Sequence, residues 1–464
     1  MNARLLPAIV AAFSALAATA APAGAQSTPP LFASYEVLPL TLEAPFNDLF
    51  EHARTTPTYA VTGTLKYAHG GRETTVDGVK VTVRGNTSRR ETECAFPKLK
   101  VQVPAGADGG PLVRAGESLK LGTHCGEAAD DKLTAKYGRL PNERSPLREA
   151  FVYRLLESVG VPTLKARPAR VSYVYTDPRP GQTPAQDRPL VRNAFVLEDA
   201  DAAVKRFGGA RDIGEKEFGD AQAAFRSADT ARLVFAEAMI GNYDWCLRMK
   251  PGDSFRCNAR HPLWNIVAAE TSNGKAVPII YDFDVAGMVA GRHPWLKTHF
   301  NENFVSSRSP IEVAVLAQVQ RARALFPRAQ LDATRKEFIG KKSAAYQTLA
   351  SGALDPEGKT IAKGYLDAFY RAIESDDAFY RPVVATAGSK LYANESRTVA
   401  CAATSAIPAG TPVSEPLQTR DGLVQVVVLD ALWQWTPPVK CAAARGPVWV
   451  EAETISRDFP PSRD

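Results

Sequence analysis

The chain has 464 residues, of which 45% are hydrophobic and 23% charged, with a formal net charge of +6. The hydrophobic share is that of a globular protein, and the length allows two or three domains. A balance this mildly basic does not argue for nucleic acid, and none is expected as a partner.

The N-terminus predicts export. Arg4 gives a positive start, Leu5 to Ala21 is apolar and Ala-rich, and "APAGA" ends in a small-x-small pattern at Ala25. Residues 1–25 therefore read as a cleaved secretory signal peptide, too short for a membrane anchor and running into Pro22 and Gly24. Cleavage leaves roughly 440 residues. "AQSTPP" carries no cysteine for a lipid anchor, and no later segment has ~20 continuous apolar residues to span a bilayer. The expected location is periplasmic or secreted.

Residues 26–58 read as a Pro- and Thr-containing lead-in. From 59 to 103 the residues alternate as in β-structure. "VKVTVR" places Val79, Val81 and Val83 on one face; "KLKVQV" places Leu99, Val101 and Val103 opposite Lys98, Lys100 and Gln102. "SPLREAFVYRLLESVGVP" predicts a helix capped by Ser145, with Pro146 at its first position and Gly160 and Pro162 closing it. "ARVSYVYTD" and "RNAFVLED" predict strands around a Pro-rich turn. "TARLVFAEAMIGNYDW" predicts a helix that stops at Gly241, with a polar loop after it. "LWNIVAAE" and "AVPIIYDFD" read as a hairpin joined by "TSNGK". Residues 310–380 read as mostly helical.

Composition changes after Pro382. "LVQVVVLDALWQW" and "GPVWVEAETIS" are short strands between Gly and Pro, which predicts a separate small β-barrel over 386–464. "IPAGTPV" followed by "GPVWVEAETI" resembles the bacterial SH3-like module, a resemblance that implies contact with peptidoglycan or another envelope component. The six cysteines form local couples: Cys94 with Cys125, Cys246 with Cys257, and Cys401 with Cys441. Export favours disulfides, and each couple stays inside one module, although the count alone allows other connectivities. No CxxC pair exists to favour zinc.

The chemistry centres on "VPIIYDFDVAG". Val277, Ile279, Ile280, Tyr281 and Phe283 read as a buried strand, yet Asp282 and Asp284 end it. Carboxylates near a core are costly unless paired or bound to a cation. A phosphoryl-transfer site needs a strand lysine for phosphates and an aspartate in a loop after a helix to orient the attacking hydroxyl. It also needs an asparagine and an aspartate on a following hairpin to hold the metal. Lys98 or Lys100, Asp244, Asn265 and Asp282 occur in that order.

The same segments resemble the spore-coat CotH kinase family. "VTVRGNTSRR" followed by "FPKLKV" is similar to that family's RGNSS and KKPYKIK opening, and "AFVLED" to its hinge strand. "GNYDW", "WNIV" and "YDFD" are similar to its catalytic and metal-binding segments, the whole covering residues 75–290. The resemblance implies an α+β, two-lobed, protein-kinase-like fold over 59–382, with a β-rich N-lobe and a mainly helical C-lobe. It implies ATP as phosphate donor, Mg2+ or Mn2+ as cofactor, and a protein or envelope hydroxyl as acceptor. It makes Asp244 the catalytic base and Asn265 and Asp282 metal ligands, with Asp284 the other candidate for principal ligand. Lys98 or Lys100 then contacts phosphate, Glu149 pairs with that lysine, and Glu198 lies in the hinge near adenine.

Three departures stand beside it. No GxGxxG loop is present, and Arg84-Gly85-Asn86 with Arg89 and Arg90 is the candidate replacement. Asp244 and Asn265 are 21 residues apart, where kinases use about five; Cys246 and Cys257 lie in the insert. "DFD" replaces "DFG".

Plainer readings exist. Asp244 serves equally as a cap, the lysines and the Arg84–Arg90 cluster as solvated charge, Asn265 as a partner for strand-end backbone, and His261 and His293 as packing residues. A haloacid-dehalogenase-like phosphatase is disfavoured because Asp284 is followed by Val285 and Ala286, late in the chain. A metal-dependent glycosyltransferase is disfavoured because no βαβ series precedes the aspartates. The main alternative is a non-catalytic, pseudokinase-like envelope-binding protein targeted by its SH3-like module.

Overall fold

Leu38, Leu40, Leu42 and Ala44 alternate along β1 (Leu38–Ala44), and all four are buried. The same two-residue period recurs along β4 (Leu99–Gln102) and β5 (Ser118–Gly122) and over parts of β2 (Ala60–His69), β3 (Arg72–Val83) and β6 (Ala166–Tyr175), whereas β7 (Leu190–Leu197) is continuously buried from Ala194 to Leu197. These seven strands close into a barrel in the order β1-β2-β3-β4-β5-β7-β6. Closure is made by β6 returning to lie parallel to β1, with Leu38 opposite Ala169 and Ala44 opposite Tyr175. Leu42, Val81, Leu99, Val101 and Tyr173 fill the interior, and Phe96 packs 4.8 Å from the Tyr173 ring.

This computed structural model describes residues 30–85, 89–90, 96–122, 144–177, 190–250, 261–291, 309–385, 388–400, 407, 409–429 and 446–457. The expected signal peptide, Asn86, His293 and the cysteines Cys94, Cys125, Cys257, Cys401 and Cys441 lie outside them. Cys246 is disulfide-bonded.

One boundary shifts. Residues 26–58 were expected as a lead-in, but they supply β1 and α1 (Phe46–His52). The alternating apolar face of β1 belongs to the barrel interior, and Phe46 stacks edge-on to Tyr173 at 5.6 Å. The β-rich region therefore begins before residue 59.

A helical middle follows, so the architecture is mixed α+β. It comprises α2 (Ser145–Ser158), α3 (Ala200–Arg206), the single turn α4 (Ala221–Ala224), α5 (Ser227–Ile240), the short α6 (Gly287–Ala290), α7 (Pro310–Leu325), α8 (Arg328–Gly340), α9 (Lys342–Ser351), α10 (Pro356–Ile373) and α11 (Asp376–Phe379). Between them run β8 (Gly209–Asp212), β9 (Cys246–Leu247), β10 (Leu263–Trp264), β11 (Ile266–Thr271) and β12 (Ala276–Ile280). Ser145 is the first residue of α2 rather than its cap, with Pro146 in the first turn as read. α2 is buried nearly all round and links the two regions. Its Arg148, 1% exposed, forks onto Asp355 at the start of α10, with Nε–Oδ2 2.9 Å and Nη2–Oδ1 2.7 Å. Among the described residues no helix is long and apolar enough to cross a membrane.

After Pro382 come two three-stranded sheets. One joins β13 (Val383–Val384), β14 (Thr411–Pro412) and β18 (Ile455–Ser456). The other joins β15 (Gln418–Arg420), β16 (Leu423–Val427) and β17 (Pro447–Glu451). Val413, Val426, Val448 and Val450 form their own core, but Val427 and Leu429 belong to the core of the helical region. Arg323 of α7, fully buried, donates to Arg457 O at 2.7 Å. The C-terminal module is thus docked on the helices.

Candidate functional site

α5 ends at Gly241, whose φ of 63° reverses the chain and whose missing side chain lets Tyr365 approach; a Cβ there would lie 2.3 Å from its ring. The loop that follows carries Asp244. Asn242 Oδ1 accepts the Asp244 N–H at 3.0 Å, and Asn242 O accepts from Gln318 Nε2 at 2.9 Å and Trp245 Nε1 at 3.1 Å. Tyr243 OH donates to Ala314 O at 2.7 Å. α7 therefore holds the loop at both Asn242 and Tyr243.

The β11–β12 hairpin brings the next two residues in. Ile266 pairs with Ile280, so Asn265 and Tyr281 follow at its open end, where the Tyr281 N–H donates to Asn265 O at 3.1 Å. Asn265 Nδ2 donates to Asp244 O at 2.6 Å and lies 3.4 Å from Asp244 Oδ2. Asp244 and Asn265, 21 positions apart in the sequence, are thus brought into contact. Asn265 and Asp282 both adopt left-handed backbone, at φ 57° and 66°, a conformation that L-residues hold only when their surroundings impose it.

Lys98 answers for the paired carboxylates. Its Nζ lies 3.0 Å from Asp282 Oδ1 and 3.7 Å from Asp284 Oδ2. Burial pushes the ammonium down, but Asp282 and Asp284 outweigh it, Glu149 adds to them, and the group is held above its ordinary value. Lys98 stays charged and offsets the repulsion between the two aspartates. Glu149 Oε1 accepts the Phe283 N–H at 3.3 Å.

Strand alternation left Lys98 and Lys100 equivalent, and tertiary structure separates them. Lys100 lies 3.5 Å from Asp199 Oδ2 and pairs across the sheet with Lys120, itself 3.7 Å from the same oxygen. Burial lowers the Lys120 ammonium, which Asp199 only partly restores while Arg84 adds repulsion. Asp199 is held below its ordinary value, since Lys120 and the Asp201 N–H outweigh its burial. Arg84 joins this face, its N–H donating to Lys98 O at 2.8 Å. Glu198 is placed otherwise: buried, it accepts from Arg206 at 2.7 Å and from the Lys165 N–H at 3.0 Å.

Sequence reasoning passed over Tyr153, Lys120 and Asp199. Tyr153 OH accepts the Asp282 N–H at 3.0 Å. Its signal was a polar-tipped ring four residues after Glu149, on the same helix face. Lys120 sits between Leu119 and Leu121 in the same alternation that exposed Lys100, and Asp199 follows directly on Glu198.

Among the described residues no group of three or more His, Cys, Asp or Glu side chains is arranged to hold a metal alone. Asn265, Asp282 and Asp284 offer amide and carboxylate oxygens. Such donors fit Mg2+ or Mn2+, which bind through one or two carboxylates with phosphates and water completing the shell. An acceptor hydroxyl beside Asp244 would find a carboxylate to orient it.

No family profile and no curated protein matches the sequence. Among solved structures, the Helicobacter pylori proinflammatory kinase CtkA shows a distant similarity, with 8% identity and a TM-score of 0.32 over 63% of this chain and 91% of that one. A score that low carries no argument about fold or function.

Proposed function

We propose that the chain is an exported, metal-dependent phosphotransferase of the CotH-like kinase type, moving phosphate from a nucleotide to a hydroxyl of a protein or envelope component. The observation that supports this most is convergence. Lys98, Asp244, Asn265 and Asp282 meet as two pairs: Lys98 Nζ lies 3.0 Å from Asp282 Oδ1 and Asn265 Nδ2 donates to Asp244 O at 2.6 Å, and Tyr281, next to Asp282, joins the pairs by donating its N–H to Asn265 O at 3.1 Å. Two of the four also hold left-handed backbone. A cation held by Asn265 and Asp282 would neutralise the nucleotide phosphates. Lys98 then donates to a phosphate oxygen, Asp244 orients the acceptor hydroxyl and takes its proton, and the C-terminal module supplies envelope contact.

The test is phosphotransfer from labelled ATP with Mg2+ or Mn2+, on oxidised protein lacking residues 1–25. Asp244→Asn should retain nucleotide binding and lose transfer. If the parent transfers no phosphate under either metal, the enzymatic reading fails.

One observation favours a second reading. Lys98 gives Asp282 and Asp284 a counter-charge from the protein itself, which suits a non-catalytic, pseudokinase-like envelope-binding protein. Nucleotide binding without transfer would support it.

A further inference from the structure

We infer that Tyr153 is a positioning residue of this site, whose hydroxyl holds the Asp282 backbone in the conformation that turns the carboxylate toward Lys98. The inference rests on the phosphotransferase reading only for the purpose of that carboxylate.

Left-handed backbone at an aspartate is usually supported by the residue's own side chain, bonded to nearby main chain. Asp282 has committed an oxygen to Lys98, 184 residues away in sequence. The hold comes instead from α2. The Asp282 N–H donates to Tyr153 OH at 3.0 Å, and the next N–H, of Phe283, donates to Glu149 Oε1 at 3.3 Å. Two successive main-chain donors are therefore taken by side chains one helical turn apart on one helix. The Tyr153 ring also packs against Phe283, 4.8 Å between centroids at 57°, and Phe283 is fully buried. Ring packing alone needs no hydroxyl, so a phenylalanine would fill the same space. What tyrosine adds here is an acceptor for the Asp282 N–H. α2 is itself fixed by the Arg148 fork to Asp355, so the acceptor stands at a set height along the hairpin.

Tyr153→Phe in the full chain tests this. Its Tm should stay near the parent's. Exchange of the Asp282 amide, read by NMR, should speed by about tenfold, the loss of one hydrogen bond. Calorimetric affinity for Mg2+·ADP should weaken by a comparable factor. An exchange rate or an affinity equal to the parent's overturns the proposal. If the parent itself binds no Mg2+·ADP, the nucleotide reading is what fails. Exchange at Asp282 alone then decides whether Tyr153 holds the backbone.

Discussion

Asn265 and Asp282 flank the open end of one hairpin, one just before its first strand and one just after its second, and both keep left-handed backbone, at φ 57° and 66°. Each such L-residue costs about 1–2 kcal/mol, so the hairpin end carries strain where its oxygen donors are presented. Substitutions at Asn265 measure it. Alanine and glycine both remove the hydrogen bond to Asp244 O, but only alanine keeps the strain. Asn265→Gly should therefore be more stable than Asn265→Ala by about 1 kcal/mol in urea unfolding. Equal stabilities would show that the conformation is not costly here.

Lys98 is the counter-charge for two carboxylates, one of them, Asp284, only 6% exposed at its side chain. Lys98→Met should cost about 2–4 kcal/mol, less than a sealed ion pair because the Asp282 side chain is 36% exposed. Added Mg2+ should recover part of the loss by replacing the cation. Lys100→Met, at a 39% exposed side chain, should cost under about 1 kcal/mol. Chemical denaturation with and without Mg2+ separates the two lysines, and similar losses would contradict the assignment.

The Arg148–Asp355 fork gives a pH signature. Arg148 hydrogen bonding is the chief cause that holds the Asp355 carboxyl below its ordinary 3.8. A depressed carboxylate contributes its stability above the unfolded value, and that contribution is lost as pH falls through the folded one. The parent should weaken as pH drops below about 4. Asp355→Asn should be less stable at pH 7 and lose less on acidification. Thermal melts from pH 7 to pH 3 check both, and parallel curves would reject the fork as a source of acid sensitivity.

The C-terminal module was read as separable, yet Val427 and Leu429 pack in the helical core and Arg323 is sealed beneath Arg457 O. Burial pushes the Arg323 guanidinium down to about 10, and the module meets it through Arg457 O. A chain ending at Pro382 should lose cooperative unfolding, and Leu429→Ala alone should cost about 2–4 kcal/mol. An undiminished Tm in the truncated chain would restore the independent-module reading.

What the sequence disclosed was local. Apolar alternation placed Lys98 and Lys100 on an outer face, and the apolar run ending in Asp282 and Asp284 exposed the carboxylates. The choice between the lysines was not local: both occupy one strand face, and only the position of Asp282 from the far hairpin distinguishes them. Tyr153 went unnoticed because its acceptor role depends on a backbone 129 residues away. β1 read as a lead-in because its parallel partner, β6, comes after α2 in the chain. Docking of the module did leave a trace. "VVVL", residues 426–429, breaks alternation as a strand covered on both faces does.

The closure of the barrel sets an order of assembly. β1 is the first strand to be made, but β6 begins only at Ala166, after all of α2. Until then one edge of β1 presents unpaired N–H and C=O groups to any strand that meets it. Pairing across such a sequence separation is slow, because a long loop must close before any contact rewards it. The docking of β6 on β1 is therefore a step at which a second chain competes. Two molecules that exchange β1 would satisfy the same ladder, so crowded refolding should yield interlocked dimers with intact helical regions.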